Sequence, residues 1–363
     1  MAGDEVVWLE GLSPWPKGGF GLERMRALLA ELGSPQAGLP AVHVVGTNAK
    51  STTTRMIEAL LLAAGVRAGA YLSPHVRSWA ERIRIDGGEA DLGAALRAVR
   101  PVAEPLGATQ FEVLTAAALV AFRDAGVEGA AVEAGLGGRH DATNVLDGTR
   151  VVVLTNVSLE HTDVLGSTRQ AIATEKLAVV RPGNVVVLGE AEWVDAARAA
   201  GAGRVVVADG GSRSLAVEAA RAFLGTEVDE GALDEVHLPG RLERRGGEVR
   251  DGAHNPEGVR WLVERLRPEK FTVVASVLAD KDVDAMLHDL AAVGSRFVAT
   301  RSSSPRALEA DELAKRARPY FSTVEKRDVP AEAVERAHEL GEPVLVTGSL
   351  YLLADLEERA PWR

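Results

Sequence analysis

The chain has 363 residues, 46% hydrophobic and 26% charged, a globular balance that excludes disorder, collagen and coiled coil. Forty-one Lys plus Arg against 52 Asp plus Glu leave a net charge of −11, which argues against a surface built to track nucleic acid or anionic lipid. Zero cysteine excludes disulfides, thiolate zinc sites and a thiol nucleophile. At roughly 100–200 residues per domain, the length points to two domains. The first residues are acidic with no apolar h-region behind them, and the longest apolar runs, such as 115–122, fall well short of a bilayer span. A soluble cytoplasmic protein is expected, a monomer with neither nucleic acid nor membrane as partner.

Short apolar runs alternate with segments of helical period, the pattern of βαβ units with a parallel sheet. Strands are predicted at 41–45, 68–72, 129–133, 151–157, 184–188 and 204–208, with helices such as 55–64, 111–125 and 168–180 between them. A second series has strands at 271–278, 296–300 and 343–347 and helices at 257–266, 281–291, 310–316 and 331–340. Between the series, 226–239 is acidic, contains glycine and lacks a period, so the domain boundary is placed there, dividing the chain into 1–235 and 236–363. The expected fold is α/β: a P-loop-type, mostly parallel sheet domain followed by a smaller Rossmann-like α/β domain.

The strongest local signal is Gly46-Thr47-Asn48-Ala49-Lys50-Ser51-Thr52-Thr53, between a predicted strand and a predicted helix. Backbone N–H groups at a helix N-terminus meet phosphate oxygens, Lys50 adds a point charge, and a hydroxyl reaches magnesium. Ala49 stands where the full G-x-x-x-x-G-K-[ST] pattern has glycine, and a plain N-cap by Ser51 or Thr52 also accounts for the hydroxyls. Glu133 closes the strand 129–133 ahead of Ala134-Gly135-Leu136-Gly137-Gly138-Arg139-His140-Asp141-Ala142-Thr143-Asn144. A carboxylate at that edge suits Mg²⁺, and a simple glycine turn beside a solvated Glu133 suits the same residues. His161, in Leu159-Glu160-His161-Thr162-Asp163, reads either as a metal ligand or as a loop cap, and Lys176 by default as a solvated helix residue. Asp251-Gly252-Ala253-His254-Asn255-Pro256 either approaches a ligand or makes an Asn-Pro turn, with Pro256 suited to the first helical position.

Together these clusters resemble the dihydrofolate synthase and folylpolyglutamate synthase family, within the Mur ligase superfamily. The similarity runs in order over nearly the whole chain. It takes in 22–29 as an entry helix, 46–53 as the ATP loop, Leu72-Ser73-Pro74-His75 as a T-S-P-H-like loop and Glu81-Arg82-Ile83-Arg84-Ile85-Asp86-Gly87. It continues through 133–144, 159–163, Pro239-Gly240-Arg241, 251–256, 277–282, 304–308 and 346–351.

The resemblance implies an ATP-dependent amide ligase. ATP phosphorylates a carboxylate to an acyl phosphate, which the amino group of L-glutamate attacks. Dihydropteroate, reduced folates or both are the implied acceptors, and a bifunctional enzyme is preferred. By position, Gly46 to Thr53 would bind ATP with Lys50 on the β/γ-phosphates, and Thr52 falls at the loop's serine position. Ser73, Glu133 and His161 would hold Mg²⁺ with that hydroxyl. Lys176 matches a lysine that is carbamylated in the family, an anion able to hold a second metal. Lys50, Lys176 and His161 are thus the implied catalytic set. Arg241, Asp251, His254 and Asn255 would meet the nucleotide, with domain closure about a mobile 226–239 hinge. Two further readings stay open: a Mur-type ligase acting on a nucleotide-linked muramoyl acceptor, favoured by the Lys50-Ser51-Thr52 sequence, and an inactive nucleotide-binding homologue.

The chain departs from the family pattern at identifiable places. Ala49 and Ser51 replace two loop glycines, which is tolerable where the backbone is helical and costly where it is left-handed. Ala80 stands at the family's Asn, 201–239 is short, and Arg250 occupies a position expected to be apolar.

Overall fold

The computed structural model describes residues 3–16, 19–209 and 211–358. They form two compact units, Met1–Val236 and His237–Arg363, each built on its own sheet.

In the first unit the strands are β1 (Ala41–Val45), β2 (Ala68–Tyr71), β3 (Ile83–Ile85), β4 (Gly88–Glu89), β5 (Gly129–Glu133), β6 (Thr149–Leu154), β7 (Val185–Leu188) and β8 (Arg204–Val207). They assemble in the order β4-β3-β2-β5-β1-β6-β7-β8, parallel except for the antiparallel β3 and β4 at one edge. β1 has neighbours on both sides and is buried throughout, which is why it reads as an unbroken apolar run. Its side chains divide by the two-residue period. Val42 and Val44 join the layer of helices Lys50–Ala63 and Gly211–Leu224, whereas Ala41 and Val45 face the opposite layers. The chain leaves β1 toward β2, returns through β5, then crosses to β6 on the other side. Ligands of open α/β sheets sit at the carboxyl ends of strands at such a reversal.

Several elements differ from expectation. The helix Leu92–Leu106 escapes sequence reading because Pro101 and Pro105 lie inside it. The β3–β4 hairpin is short and half exposed, with no apolar run to announce it. The 226–239 stretch is not a free hinge. Asp229 Oδ1 accepts from Gly231 N at 3.0 Å to cap a 3₁₀ turn, Glu230–Leu233, and Leu233 is buried beside Val228 and Val236 in the first unit's core.

In the second unit the strands are β9 (Glu243–Arg245), β10 (Glu248–Arg250), β11 (Thr272–Ala275), β12 (Arg296–Ala299), β13 (Thr323–Lys326) and β14 (Val344–Thr347), in the order β13-β12-β11-β14-β10-β9. All pairings are parallel except the β9–β10 hairpin. β13 has no counterpart among the strands expected from sequence, because Thr323-Val324-Glu325-Lys326 is a partly exposed edge without an apolar run. Arg250, at a position expected to be apolar, is buried because Glu248 (2.8 Å) and Glu357 (3.1 Å) pair with it.

Beside that pair, His338 bridges Glu248 (3.0 Å) and Glu342 (2.8 Å). Partial burial opposes its charged form, but the hydrogen bonds to Glu248 and Glu342 outweigh it and raise His338 above 6.5. Burial likewise acts to raise Glu248, and His338 together with Arg250 outweighs it and lowers that carboxyl below 4.5. A raised histidine stabilises the fold fully below its unfolded value, and the contribution is lost as pH rises through the native value. Thermal unfolding followed from about pH 6 to about pH 9 should therefore lose stability for the second unit, and His338→Gln should flatten that limb. The change should not exceed about 1 kcal/mol, because His338 is 31% exposed and solvent screens both pairs.

Candidate active site

Three strand ends of the first unit converge on one edge. After β1, Gly46 takes φ 151°, with no room for a Cβ against Thr155. The loop is splinted by the segment that follows β6. Thr47 N donates to Asn156 O (3.0 Å), Asn48 N donates to Asn156 Oδ1 (2.8 Å), and Thr155 Oγ1 donates to Asn48 O (2.7 Å). The helix begins at Lys50, earlier than expected, and its N-cap is Ala49 rather than Ser51 or Thr52. No side chain caps it, so the N–H groups of its first turn are left for a ligand, the arrangement that suits phosphate oxygens. Lys50 Nζ lies 3.2 Å from Thr47 O at the same mouth.

Ala49 has φ 64° and ψ 7°, so this departure from glycine falls on a left-handed residue and carries strain. Ser51, the other departure, sits inside the helix Lys50–Ala63, where a Cβ costs nothing. Ser51 is also the hydroxyl brought to the carboxylate. Its Oγ donates to Glu133 Oε1 at 3.1 Å, while Ser73 N donates to Glu133 Oε2 at 3.0 Å. Thr52 is one position round the helix, half-buried, and Thr53 Oγ1 turns back to Ala49 O (2.9 Å). Glu133 is 1% exposed, so the solvated-turn alternative does not hold. The Ser73 loop is braced from within by Glu81, which accepts from the N–H groups of Val76 (3.2 Å), Arg77 (2.5 Å) and Ser78 (2.7 Å).

Lys176 is not the solvated residue of the default reading. It lies on the helix Arg169–Leu177, is 4% exposed, and donates to Gly46 O at 2.7 Å. Burial, reinforced by the charge of Lys50, lowers its pKa to about 7. The approach of this helix depends on Gly138, where a Cβ would stand 2.5 Å from Lys176 O and 2.8 Å from Glu175 O. Asp141 folds the same glycine segment by accepting from Leu136 N (2.8 Å) and Thr143 N (3.0 Å), and burial raises its pKa. Behind it, His43 on β1 meets Thr143 Oγ1 at 2.8 Å, and burial followed by the charge of Arg181 lowers its pKa to about 3. His161 takes φ 50° as N-cap of a single turn, Thr162–Leu165, exposed with Glu160 Oε1 3.9 Å away.

In the second unit, Asp251 is buried and spends both oxygens on backbone, accepting from Leu242 N and Ala253 N at 2.8 Å each. Burial raises its pKa. Arg241 Nη1 donates to Gly240 O (3.1 Å), His254 Nδ1 meets Gly252 O (2.9 Å), and Asn255 Oδ1 accepts from Gly258 N (2.8 Å) to cap the helix Pro256–Leu266. The Asn-Pro turn is thus real; Asp251 and His254 lie on one short stretch of backbone, and Arg241 is brought beside it across the β9–β10 hairpin, where Gly252 N donates to Gly240 O (2.9 Å).

Residues 44–222 match the Mur ligase middle domain, and residues 240–350 match the Mur ligase glutamate ligase domain. A dihydrofolate synthase/folylpolyglutamate synthase of Mycobacterium tuberculosis is 35% identical over 373 residues, covering 81% of this chain and 76% of the relative. The chain belongs to the dihydrofolate synthase/folylpolyglutamate synthase family. Its members are ATP-dependent ligases. Escherichia coli FolC in complex with DHPP and ADP superposes with a TM-score of 0.86 at 29% identity, over 98% of this chain and 97% of that one. The bifunctional folylpolyglutamate synthase/dihydrofolate synthase of Yersinia pestis, complexed with AMPPNP and Mn ion, gives 0.87 at 29% identity, over 97% and 96%.

Within this family member, residues that sequence reading left without a role include Asn156, Glu81, His43 and Glu190. Asn156 and Glu190 lie just past β6 and β7, where Glu133 closes β5, and a polar residue at the end of an apolar strand is the signal that finds them. Replacing the left-handed Ala49 with glycine should raise the stability of the first unit by about 1 kcal/mol in urea unfolding. Gly138→Ala should instead push away the helix that bears Lys176 and lower turnover even where the protein stays folded.

Proposed function

We propose that the protein adds L-glutamate to dihydropteroate, to reduced folates or to both, consuming ATP and releasing ADP and phosphate. The observation that carries this reading is the contact of Ser51 with buried Glu133 at the mouth of an uncapped helix that begins at Lys50. A hydroxyl, a carboxylate and free N–H groups at one point are the donor set for a magnesium nucleotide.

In this reading Gly46 to Thr53 embrace the phosphates, with Lys50 on the β/γ oxygens. Glu133, Ser51, Ser73 and His161 present hard oxygen or imidazole donors suited to Mg²⁺, with Thr52 as the neighbouring hydroxyl. The chain supplies no ready cage: among the described residues no group of three or more His, Asp or Glu could hold a metal ion. That suits magnesium, which keeps waters and phosphate oxygens as ligands. When bound, it neutralises charge between phosphate oxygens during transfer. The substrate carboxylate takes the γ-phosphoryl group to become an acyl phosphate, the amino group of glutamate attacks its carbonyl carbon, and phosphate leaves.

Lys176 enters as a carbamate. An amine with a pKa of about 7 is partly neutral at physiological pH, and the neutral amine is the form that adds carbon dioxide. The product is an anion where Lys50 now repels a cation. Arg241, Asp251, His254 and Asn255 are the second unit's nucleotide contacts in this proposal. No helix among the described residues is long and apolar enough to cross a membrane, and we place the enzyme in the cytoplasm as a monomer.

The test is ADP release with ATP, Mg²⁺ and L-glutamate, adding dihydropteroate or tetrahydrofolate separately and detecting the glutamylated product by mass. Product from either acceptor is expected. Product from a muramoyl acceptor alone would reassign the enzyme, and nucleotide binding without any product would make it an inactive homologue. Lys176→Ala should cut turnover about 10- to 100-fold with folding intact. Removing bicarbonate should slow the unsubstituted enzyme and leave the variant unaffected.

A further inference from the structure

The loop that carries His161 and the helix that carries Lys176 are fastened at a common point outside the phosphate site. Val157, just past β6, has both halves of its backbone held: its N–H donates to Glu190 Oε2 (2.9 Å) and its C=O accepts from Arg169 Nε (2.7 Å). The two side chains close on each other, Arg169 Nη2 lying 2.9 Å from Glu190 Oε1. Trp193 completes the arrangement, its indole N–H donating to Glu190 Oε2 (2.8 Å) and its ring lying 5.2 Å from the Arg169 guanidinium carbon. Arg169 is the first residue of the Lys176 helix, and Glu190 follows β7.

We propose that Glu190 and Arg169 are positioning residues that set the His161 loop and the Lys176 helix in one register against the phosphate loop. The proposal rests on the ligase reading above. The helix does not need Arg169 in order to form: Thr168 Oγ1 caps it by accepting from Ala171 N (3.1 Å), and Ile172, Ala173 and Leu177 bury its inner face. An isolated, partly exposed ion pair contributes little to stability. Here the pair does something else, holding one residue by its backbone donor and its backbone acceptor at once. The next residue, Ser158, donates its N–H to Thr47 Oγ1 at 3.1 Å, so the clamped peptide abuts the phosphate loop directly. Four residues past Val157, His161 sits at φ 50°, a conformation that persists only where its surroundings enforce it.

The experiment compares Glu190→Ala, Arg169→Ala, the double variant, Glu190→Gln and Arg169→Lys with Glu192→Ala. Glu192 pairs with Arg169 (2.7 Å), and no contact of it with Val157 is seen. Readouts are kcat, KM for each substrate, the Mg²⁺ concentration for half-maximal rate, and the thermal midpoint. Either alanine variant should lower kcat about 10- to 100-fold and raise the Mg²⁺ requirement, with KM for L-glutamate unchanged. The double variant should be no worse than either single, because both break one clamp. Glu190→Gln, which keeps an acceptor for Val157 N–H, should recover part of kcat, and Glu192→Ala should behave as the unsubstituted enzyme.

Folded alanine variants with kcat and Mg²⁺ requirement within about twofold of the parent would overturn the proposal. So would losses that follow the thermal midpoint alike in every variant, Glu192→Ala included. Should the alanine variants fail to fold, Glu190→Gln and Arg169→Lys decide: a kcat loss with a raised Mg²⁺ requirement supports the clamp, and parent-like kinetics refute it. If the unsubstituted protein ligates no glutamate, the ligase reading fails instead, whatever the variants do.

Discussion

A carboxylate held out of water must be given donors, and Glu133 receives them from two other parts of the chain. One comes from the first turn of the helix after β1, the other from the backbone after β2. Because β5 lies between β1 and β2 in the sheet, the side chain of its last residue reaches the segments that follow both neighbours. The order of strands thus determines which hydroxyl faces which acid. Ser51, Ser73 and Glu133 are far apart in sequence but are located by three adjacent parallel strands.

A second constraint is electrostatic. Lys50 lies close enough to Lys176 to add to burial in opposing its charge, and Lys176 is the more deeply buried of the two. Placing the Lys50 ammonium at an uncapped helix N-terminus, itself a site of positive partial charge, raises the potential there. Such a mouth is matched by a polyanion. It is also the setting in which an amine loses its proton most readily, so one arrangement favours phosphate binding and tunes Lys176 together.

How much of this could be read in advance follows from where each signal lies. Strands buried on both faces, such as β1, β5 and β11, are continuous apolar runs and stand out. Edge strands β3, β4 and β13 carry polar residues and do not. The helix over 92–106 is masked by its prolines. At the site, Glu133, Lys50 and Lys176 were legible because residue type and spacing follow a known family order. The handedness of Ala49, and the choice of Ser51 over Thr52, were not, since both depend on the residue at which the helix begins. A shift of one residue turns the hydroxyl about a quarter-turn or more around the axis. Asn156, Glu190 and Arg169 act through backbone groups of other segments; a place just past a strand marks the first two as candidates, but which backbone group each meets leaves no mark in sequence.

The order of strands in the second unit bears on how it is made. Its opening hairpin, β9–β10, joins the sheet through β14, a strand near the far end of the chain, and Arg245 and Arg250 at that hairpin are neutralised by Glu357 in the helix Leu350–Glu358. As the chain emerges in order, the hairpin pairs only with itself, and Arg245 and Arg250 have only Glu243 and Glu248 as counter-charges, until β14 and Glu357 arrive with almost the whole unit synthesised. The first unit meets no such delay, because the strands flanking β1 are complete by Leu154. Synthesis therefore separates the two halves in time, with the phosphate loop assembled on a finished sheet while the second unit waits for its last helix.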